Sequence, residues 1–572
     1  MKFSKPTNWT NNFRHDGLLY FAQRIEEMLF SYTSELYSVP IMNTHLLVLE
    51  YLNTARLVKE KTISDSQLKN VMEEFQESFK SDSIIQENVG KNFCDDVLDK
   101  LNTSNVSYQE KIMWYLYSVL KQYPKWCISY LKRIVRQEKE KMKIEKALRC
   151  FIPELIGGGY SGEYIYYYTK KIFFEAPVNS IEALNVFLDR FDFKEKNYDV
   201  YVAVGKSALL FKDILQKRLA ANFGPFSDCK DLIYDHKRYV LLKLSVKDFD
   251  ERKAANQAYD DLNIFFKYYN FLGNIKDTWM QNTGKVIDEN GNISFVELKP
   301  LGYRKKQMED DKTSTGLMTE KIVSMLIFNA QDALVYIDKA VMMHNTAVAE
   351  KNLSNGFLNF WSVLEILFIT DQDSGKIAEI EKKFVPIVQR NYASMIFGTL
   401  EDVLEDALDK SYLDELKEKI GEYNETTWLA EVVILKEYTG IRKELYEKLR
   451  DYPVVRSRIA QLSKTFSEKE SLTAEIARYT QRIRWHIRRL YRTRNAIIHS
   501  GEAPDELRML GEHLHAYVDV CLYEIIVELS NFKSVDTAVI DIIMNNERML
   551  KELKGKGKVD KKTICMIMKE KG

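Results

Sequence analysis

Residues 478–501 read RYTQRIRWHIRRLYRTRNAIIHSG, and this stretch decides the expected fold of the C-terminal part of the chain. Apolar residues recur within it at spacings of three and four, which predicts one long helix with a packed face. Gly501 suits the left-handed position just past a helix end, so the helix is expected to end there. The apolar positions are Ile483, Ile487, Leu490, Ile497 and Ile498.

The same stretch is strongly basic, although the whole chain carries no net charge. Residues 478–499 contain seven arginines and no carboxylate, whereas 83 Lys and Arg balance 83 Asp and Glu over all 572 residues. Since no global field attracts a polyanion, any polyanion site must be local, and we expect it here. The plain alternative is a solvated arginine-rich helix with a capping histidine.

His499 is predicted to lie in the last turn of this helix. The helix dipole favours its imidazolium form and the neighbouring arginines oppose it, so the ring should titrate where it can both take and give a proton. Arg494 lies about 100° around the helix from Asn495, which shares a face with His499. One helix therefore does not aim Arg494 and His499 at one point. A second copy across a two-fold axis would, which favours a homodimer with a composite cleft. The apolar contacts between the two copies are expected from Ile487, Tyr491 and Ile498 and from the upstream helix near Trp361.

The rest of the chain divides by its hydrophobic period. Helical spacing dominates both ends, whereas residues 198–204, 238–246 and 293–298 are rich in β-branched and aromatic residues and predict strands. The predicted fold class is therefore mainly α with a small central α/β module. The expected segments are a helical N-terminal domain at 1–194, the α/β module at 195–303, a linker at 304–318, a helical bundle at 319–549 and a basic tail at 550–572.

Several function classes are not expected. The six cysteines include no C-x-x-C pair, which argues against a disulfide framework or a zinc ribbon and favours a reducing compartment. His513 and His515 lie about 200° apart around a predicted helix and cannot chelate one ion from one face, so neither a metal nor a cofactor is predicted. The polar N-terminus and the lack of any long apolar run predict a cytoplasmic protein with no membrane partner.

Residues 490–501, LYRTRNAIIHSG, resemble the signature of HEPN domains, specifically of the Apea-like group. The upstream stretch 357–368, FLNFWSVLEILF, is similar to the family's earlier helix with its aromatic residue and Leu-Glu pair. The resemblance covers about residues 320–531. It implies a HEPN-like helical bundle that acts as a dimeric, metal-independent endoribonuclease, commonly an antiphage, abortive-infection or toxin effector.

The resemblance also assigns residues by position. Arg494 and His499 match the catalytic pair, and Asn495 matches the polar residue beside the arginine. Glu365 matches a helix carboxylate of the family. RNA cleavage needs proton transfer at the 2′-OH, expected of His499, and positive charge on the phosphate, expected of Arg494. DNA lacks the 2′-OH, so this hydrolase would select RNA. The arginines expected to bind RNA are Arg482, Arg488, Arg489 and Arg492.

Two other functions stay open at this stage. The arginines could belong to a non-catalytic module that binds RNA or a nucleotide, or the HEPN-like part could be a scaffold that only dimerises. The expected partners are RNA and a second copy of the chain. A further expected partner is a phage-derived or cellular trigger sensed by the N-terminal region.

Overall fold

The computed structural model describes residues 3–10, 13–31, 33–226, 229, 231–232, 234–273, 280–298, 303, 323–324, 331–369, 376–421 and 423–569. The structure is 69% helical, with 24 helices and one five-stranded antiparallel sheet in its described part, which confirms the predicted fold class. The chain divides into two compact units. The helical unit comprises residues 1–153, 173–181 and 302–572, and the sheet unit comprises 154–172 and 182–301.

The N-terminal part of the helical unit is a run of helices joined by short turns. Asp82 connects several of them, because its carboxylate accepts hydrogen bonds from the Thr44 hydroxyl at 2.8 Å and the Tyr123 hydroxyl at 2.6 Å while it caps the backbone of Ile84. The helices are α1 Asp16–Leu29, α2 Thr44–Lys59, α3 Ser66–Ser81, α4 Ser83–Val89, α5 Lys91–Thr103, α6 Val106–Leu120, α7 Tyr123–Ile134 and α8 Lys141–Gly157.

The sheet unit confirms the three predicted strands and adds two that the sequence pattern did not indicate. The strand order is β2-β3-β1-β4-β5, and Val200 of β1 lies opposite Leu244 of β3 and Val286 of β4. The elements are α9 Gly162–Lys170, α10 Ala183–Leu188, β1 Lys196–Gly205, α11 Lys212–Leu219, β2 Asn222–Phe223, β3 Tyr239–Asp248, α12 Glu251–Gly273, β4 Met280–Asp288 and β5 Ile293–Glu297.

The C-terminal part of the helical unit is built around one long helix of 32 residues, Lys469–Ser500, labelled α21. It ends where predicted, since Gly501 adopts a left-handed conformation with φ of 70°. The helices are α13 Gln331–Ala349, α14 Leu353–Phe368, α15 Lys376–Arg390, α16 Tyr392–Ala407, α17 Lys410–Ile420, α18 Trp428–Ile434, α19 Thr439–Lys448, α20 Pro453–Phe466, α21 Lys469–Ser500, α22 Leu507–Glu528, α23 Val535–Leu553 and α24 Lys561–Ile567.

The predicted domain boundaries differ from the observed units. The two helical ends of the chain form one unit, because buried charges connect them: the Arg458 guanidinium of α20 lies 2.7 Å from the Glu27 carboxylate of α1, and both side chains are almost fully buried. Residues 154–172 and 182–194, expected in the N-terminal domain, belong to the sheet unit. Helical periodicity alone does not show which helices share a core.

The predicted basic tail is wrong as a description of residues 550–569, which pack onto the helical unit. Val559 and Ile564 are buried, and the Val559 amide donates to the Ser467 carbonyl at 3.0 Å. Six lysines of this segment are exposed, and they obscured its apolar positions in the sequence: Lys551, Lys554, Lys556, Lys558, Lys561 and Lys562. The predicted linker at 304–318 lies outside the described residues. No helix in the described part of the chain is both long and apolar enough to cross a membrane.

Candidate active site

The C-terminal half of α21 meets α14 at a small polar cluster. The Arg494 guanidinium donates to the Asn495 side-chain oxygen at 3.2 Å, and its other terminal nitrogen lies 3.5 Å from Glu365 Oε1. The Arg494 side chain is 22% exposed, whereas Asn495 is buried. The structure therefore brings Arg494 and Asn495 together with Glu365, which lies 129 residues before Arg494 along the chain.

Glu365 is held in place by a hydrogen bond from another residue of α14. Trp361, one turn earlier, is buried and donates its indole N–H to the same Glu365 oxygen at 3.0 Å. Its ring lies 5.7 Å from the ring of Tyr491 on α21. Glu365 Oε1 accepts hydrogen bonds from both the Trp361 indole and the Arg494 guanidinium. The carboxylate therefore orients Arg494 and leaves part of its guanidinium facing solvent.

His499 lies in the last turn of α21 and is exposed. The turn at Gly501 ends the helix immediately after it, so the imidazole is next to the unpaired carbonyls of the helix end. The structure thus places His499 on the same helix end as Arg494, at the surface of the protomer. No contact within the described residues joins the two side chains.

Two of the four expected RNA-binding arginines are buried instead. Arg489 is 5% exposed and forms a two-pronged hydrogen bond with the Glu50 carboxylate of α2, at 3.0 and 2.8 Å. Arg489 also reaches Glu74 of α3, and Arg492, 6% exposed, donates to Glu50 at 2.6 Å. Gln67 accepts a further bond from Arg492 at 3.3 Å. Two arginines thus face two carboxylates inside the helical unit.

The protonation of this cluster follows from its contacts. Burial by itself would raise the pKa of Glu50, but Arg489 and Arg492 outweigh burial and lower that pKa to about 2. Burial raises the pKa of Glu74, and the nearby negative charge of Glu50 adds to the rise. The pKa of Arg489 is raised, since Glu50 and Glu74 overcome the opposing effect of burial. The cluster is a paired internal network in which Glu50 is the ionised centre.

The remaining expected RNA-binding arginines differ from each other. Arg488 is half-buried, donates to Glu381 of α15 at 2.8 Å and also contacts Asn70 of α3. Arg482 is exposed and lies 5.7 Å from the centre of the Tyr479 ring. It lines a cavity of about 160 Å³ together with Arg149, whose pKa is lowered to about 10 by burial and by Arg482. Of the four arginines, Arg482 is the one best exposed to a ligand in this structure.

The expected RNA surface and the expected dimer contacts therefore need correction. Arg489 and Arg492 do not face solvent, because carboxylates of α2 and α3 take up their hydrogen bonds. Ile487 and Trp361, which the amphipathic pattern offered for apolar contact with a second copy, are 0% and 1% exposed within one protomer. Ile498, beside His499, is 47% exposed and remains available.

The carboxylates that neutralise α21 were not identified from the sequence. Glu50 stands alone in the apolar run LLVLEYL at residues 46–52, and a single carboxylate within a buried helical face is the signal that could have found it. Glu74 and Glu381 have no comparable signal, since each lies on a polar helix that carries at least one other glutamate and several lysines or other polar residues.

Comparison of the chain with protein-family models, with curated proteins and with solved structures finds no match.

Proposed function

We propose that the chain is a metal-independent endoribonuclease of the HEPN type, with its site at the C-terminal end of α21. The observation that carries the proposal is that the arginines on this helix differ in burial and in their hydrogen-bond partners. Arg489 and Arg492 are buried and hydrogen-bonded to internal side chains, chiefly the Glu50 carboxylate. Arg494, by contrast, is held by Asn495 and Glu365 with its guanidinium partly exposed, on the same helix end as the exposed His499.

The proposed chemistry assigns each side chain a role that its surroundings allow. Arg494 stabilises the charge that develops on the pentavalent phosphate, and Asn495 orients the guanidinium from the side. His499 takes the proton of the 2′-OH and returns a proton to the leaving 5′-oxygen. Glu365 is a positioning residue, because its contact is with Arg494 and Trp361.

Two copies are needed on this proposal. Arg494 and His499 diverge around one helix, so a composite cleft across a two-fold axis supplies the missing geometry. Sedimentation should show a dimer, and His499→Cys should allow a short bifunctional thiol reagent to join two chains, with all six native cysteines replaced beforehand. An active monomer would contradict the composite site.

Cleavage is expected to continue in EDTA and to leave 2′,3′-cyclic phosphate ends. The reason is that an attacking 2′-OH and a leaving 5′-oxygen need only proton transfer and a cationic partner, which His499 and Arg494 provide. The measurement is end-group analysis of total RNA incubated with the pure protein in EDTA. Activity that appears only after Mg²⁺ or Mn²⁺ is added would contradict the mechanism.

The alternative is a non-catalytic module that binds RNA or a nucleotide, and the observation that favours it is the cavity beside Arg482 and Arg149. RNA binding without new RNA ends would select this alternative. Dimerisation with neither binding nor cleavage would select the scaffold.

The proposed place in the cell is a cytoplasmic antiphage, abortive-infection or toxin effector that a phage-derived or cellular trigger activates. What supports restraint is the contact of α2 and α3 with α21, through which the N-terminal helices hold two arginines of the proposed RNA surface. A trigger that loosened this contact would free positive charge next to the cleavage site. Measuring cleavage with and without extract of infected cells tests this role.

A further inference from the structure

A second group of polar side chains lies where α22 meets α13. His515 and Asp519 are one turn apart on α22, and His344 reaches them from α13. His344 Nε2 lies 2.8 Å from Asp519 Oδ1 and 3.1 Å from His515 Nε2, and His515 Nε2 lies 3.6 Å from the same Asp519 oxygen. Three potential ligand atoms thus converge from two helices.

These separations are those of ligands around one small cation. Zinc binds imidazole nitrogen and carboxylate oxygen at about 2.0–2.2 Å in tetrahedral geometry, which places neighbouring ligand atoms about 3.3 Å apart. The three observed separations, 2.8, 3.1 and 3.6 Å, lie on both sides of that value. We propose that His344, His515 and Asp519 bind one divalent transition-metal ion, Zn²⁺ by ligand type, with the fourth position open to water.

The surroundings hold the two imidazoles in this arrangement. Phe360 of α14 is fully buried and stacks on His515, with ring centres 4.5 Å apart and planes 20° apart. Its ring also contacts His344 edge-on at 5.7 Å. A rigid aromatic wall behind two histidines fixes their orientation, as supporting residues do around metal sites. The Asp519 side chain is 46% exposed, so an ion can enter from solvent.

Without a metal, one proton must serve all three atoms. If His344 Nε2 carries it, the N–H is shared between Asp519 Oδ1 and His515 Nε2, and each receives part of one hydrogen bond. A cation in place of that proton satisfies all three lone pairs at once. Binding would displace the proton, so the affinity for the ion should fall as the pH is lowered.

A second set of three potential metal ligands exists, but the positive charges beside it disfavour a bound cation. Glu35, His486 and His513 also bring three ligand atoms within 4.8 Å of one another. The cavity that they line also holds Arg149 and Arg482, and positive charge opposes a divalent cation. His513 and His515 thus face different partners, in agreement with their predicted angular separation around the helix. The sequence pattern does not indicate the ligand set at His515, because His344 lies 171 residues away along the chain.

The test uses the full-length protein, stripped with a chelator and dialysed against ZnCl₂. Mass spectrometry should find one zinc per chain, and Co²⁺ in its place should give the visible absorption of a tetrahedral site. His344→Ala and Asp519→Asn should each weaken zinc binding at least about 100-fold, since even supporting residues contribute 10–100-fold. His236→Ala, an exposed histidine in the sheet unit, is the matched control and should bind zinc as the unaltered chain does.

The experiment distinguishes loss of the metal site from loss of the fold and from zinc binding at the competing group. Because His344 and Asp519 are partly exposed, their replacement should leave the circular dichroism spectrum unchanged, and the isosteric Asp519→Asn keeps the shape of the site. Absence of bound zinc would overturn the proposal. Zinc that persists in both variants but is lost in His513→Ala would also overturn it, because the ion would then belong to the competing group. The metal content is read without RNA, so this result is independent of the ribonuclease proposal.

Discussion

Replacing His499 with alanine is expected to abolish RNA cleavage and to leave the fold and the dimer intact. The imidazole is exposed in the last turn of α21, so its loss removes little packing, whereas the proposed reaction loses its proton-transfer group. The measurement is the rate of appearance of new RNA ends, with His236→Ala as the control for an exposed histidine elsewhere. An active His499→Ala protein would refute the assignment.

Arg494→Ala tests the other half of the same site. Removal of one preorganised cationic group should reduce cleavage roughly 100-fold or more. Arg494→Lys keeps the charge but cannot donate to Asn495 and Glu365 together in the planar geometry of a guanidinium, so it should recover only part of the loss. If Arg494→Ala unfolds the chain instead of slowing cleavage, the arginine is a structural residue. That result would favour the alternative in which the arginine-rich helix has no catalytic role.

The second large effect is expected from Glu50→Gln, which should destabilise the helical unit by about 3–5 kcal/mol. The substitution keeps the size of the side chain but leaves Arg489 and Arg492 buried, with Glu74 as the remaining carboxylate that forms an ion pair with Arg489 among the described residues. An uncompensated buried charge costs far more than the lost attraction. Urea unfolding followed by circular dichroism measures the free energy of unfolding.

Glu60→Gln is the matched control for that experiment. Glu60 directly follows α2 and pairs with Arg56 at 3.2 Å, but both side chains are almost half exposed. Exposed pairs contribute little, so the control should lose less than about 1 kcal/mol. Equal losses for Glu50→Gln and Glu60→Gln would show that the buried network does not stabilise the unit.

The same glutamate predicts a pH dependence of stability. The pKa of Glu50 is about 2 in the folded chain, below its ordinary value of 4.5, so the folded state binds this proton more weakly than the unfolded state. Its contribution is complete above about pH 4.5 and is lost as the pH falls toward 2. The raised pKa of Glu74 acts in the opposite direction and reduces the net slope. Glu50→Gln should therefore unfold less steeply with acid than the unaltered chain, and unchanged slopes would contradict the assignment.

Local patterns in the sequence were sufficient for the main helical regions, for three of the strands and for the end of α21 at Gly501, because hydrophobic period and a left-handed glycine are properties of neighbouring residues. They were not sufficient for β4, whose first residues MQNTGK are mostly polar, nor for the C-terminal helix hidden among lysines. A strand half exposed, or a helix anchored by few apolar residues, gives a weak periodic signal.

The sequence by itself determined the fold class, the arginine-rich helix and the motif that proposes Arg494 and His499. Only the tertiary structure decided which arginines are open, because that depends on Glu50 and Glu74, more than 400 residues away along the chain. It also decided that His344 meets His515 and Asp519. The charge pattern of the sequence describes the residues of one segment only. Burial and ion pairing depend on the side chains that other segments of the folded chain place beside it.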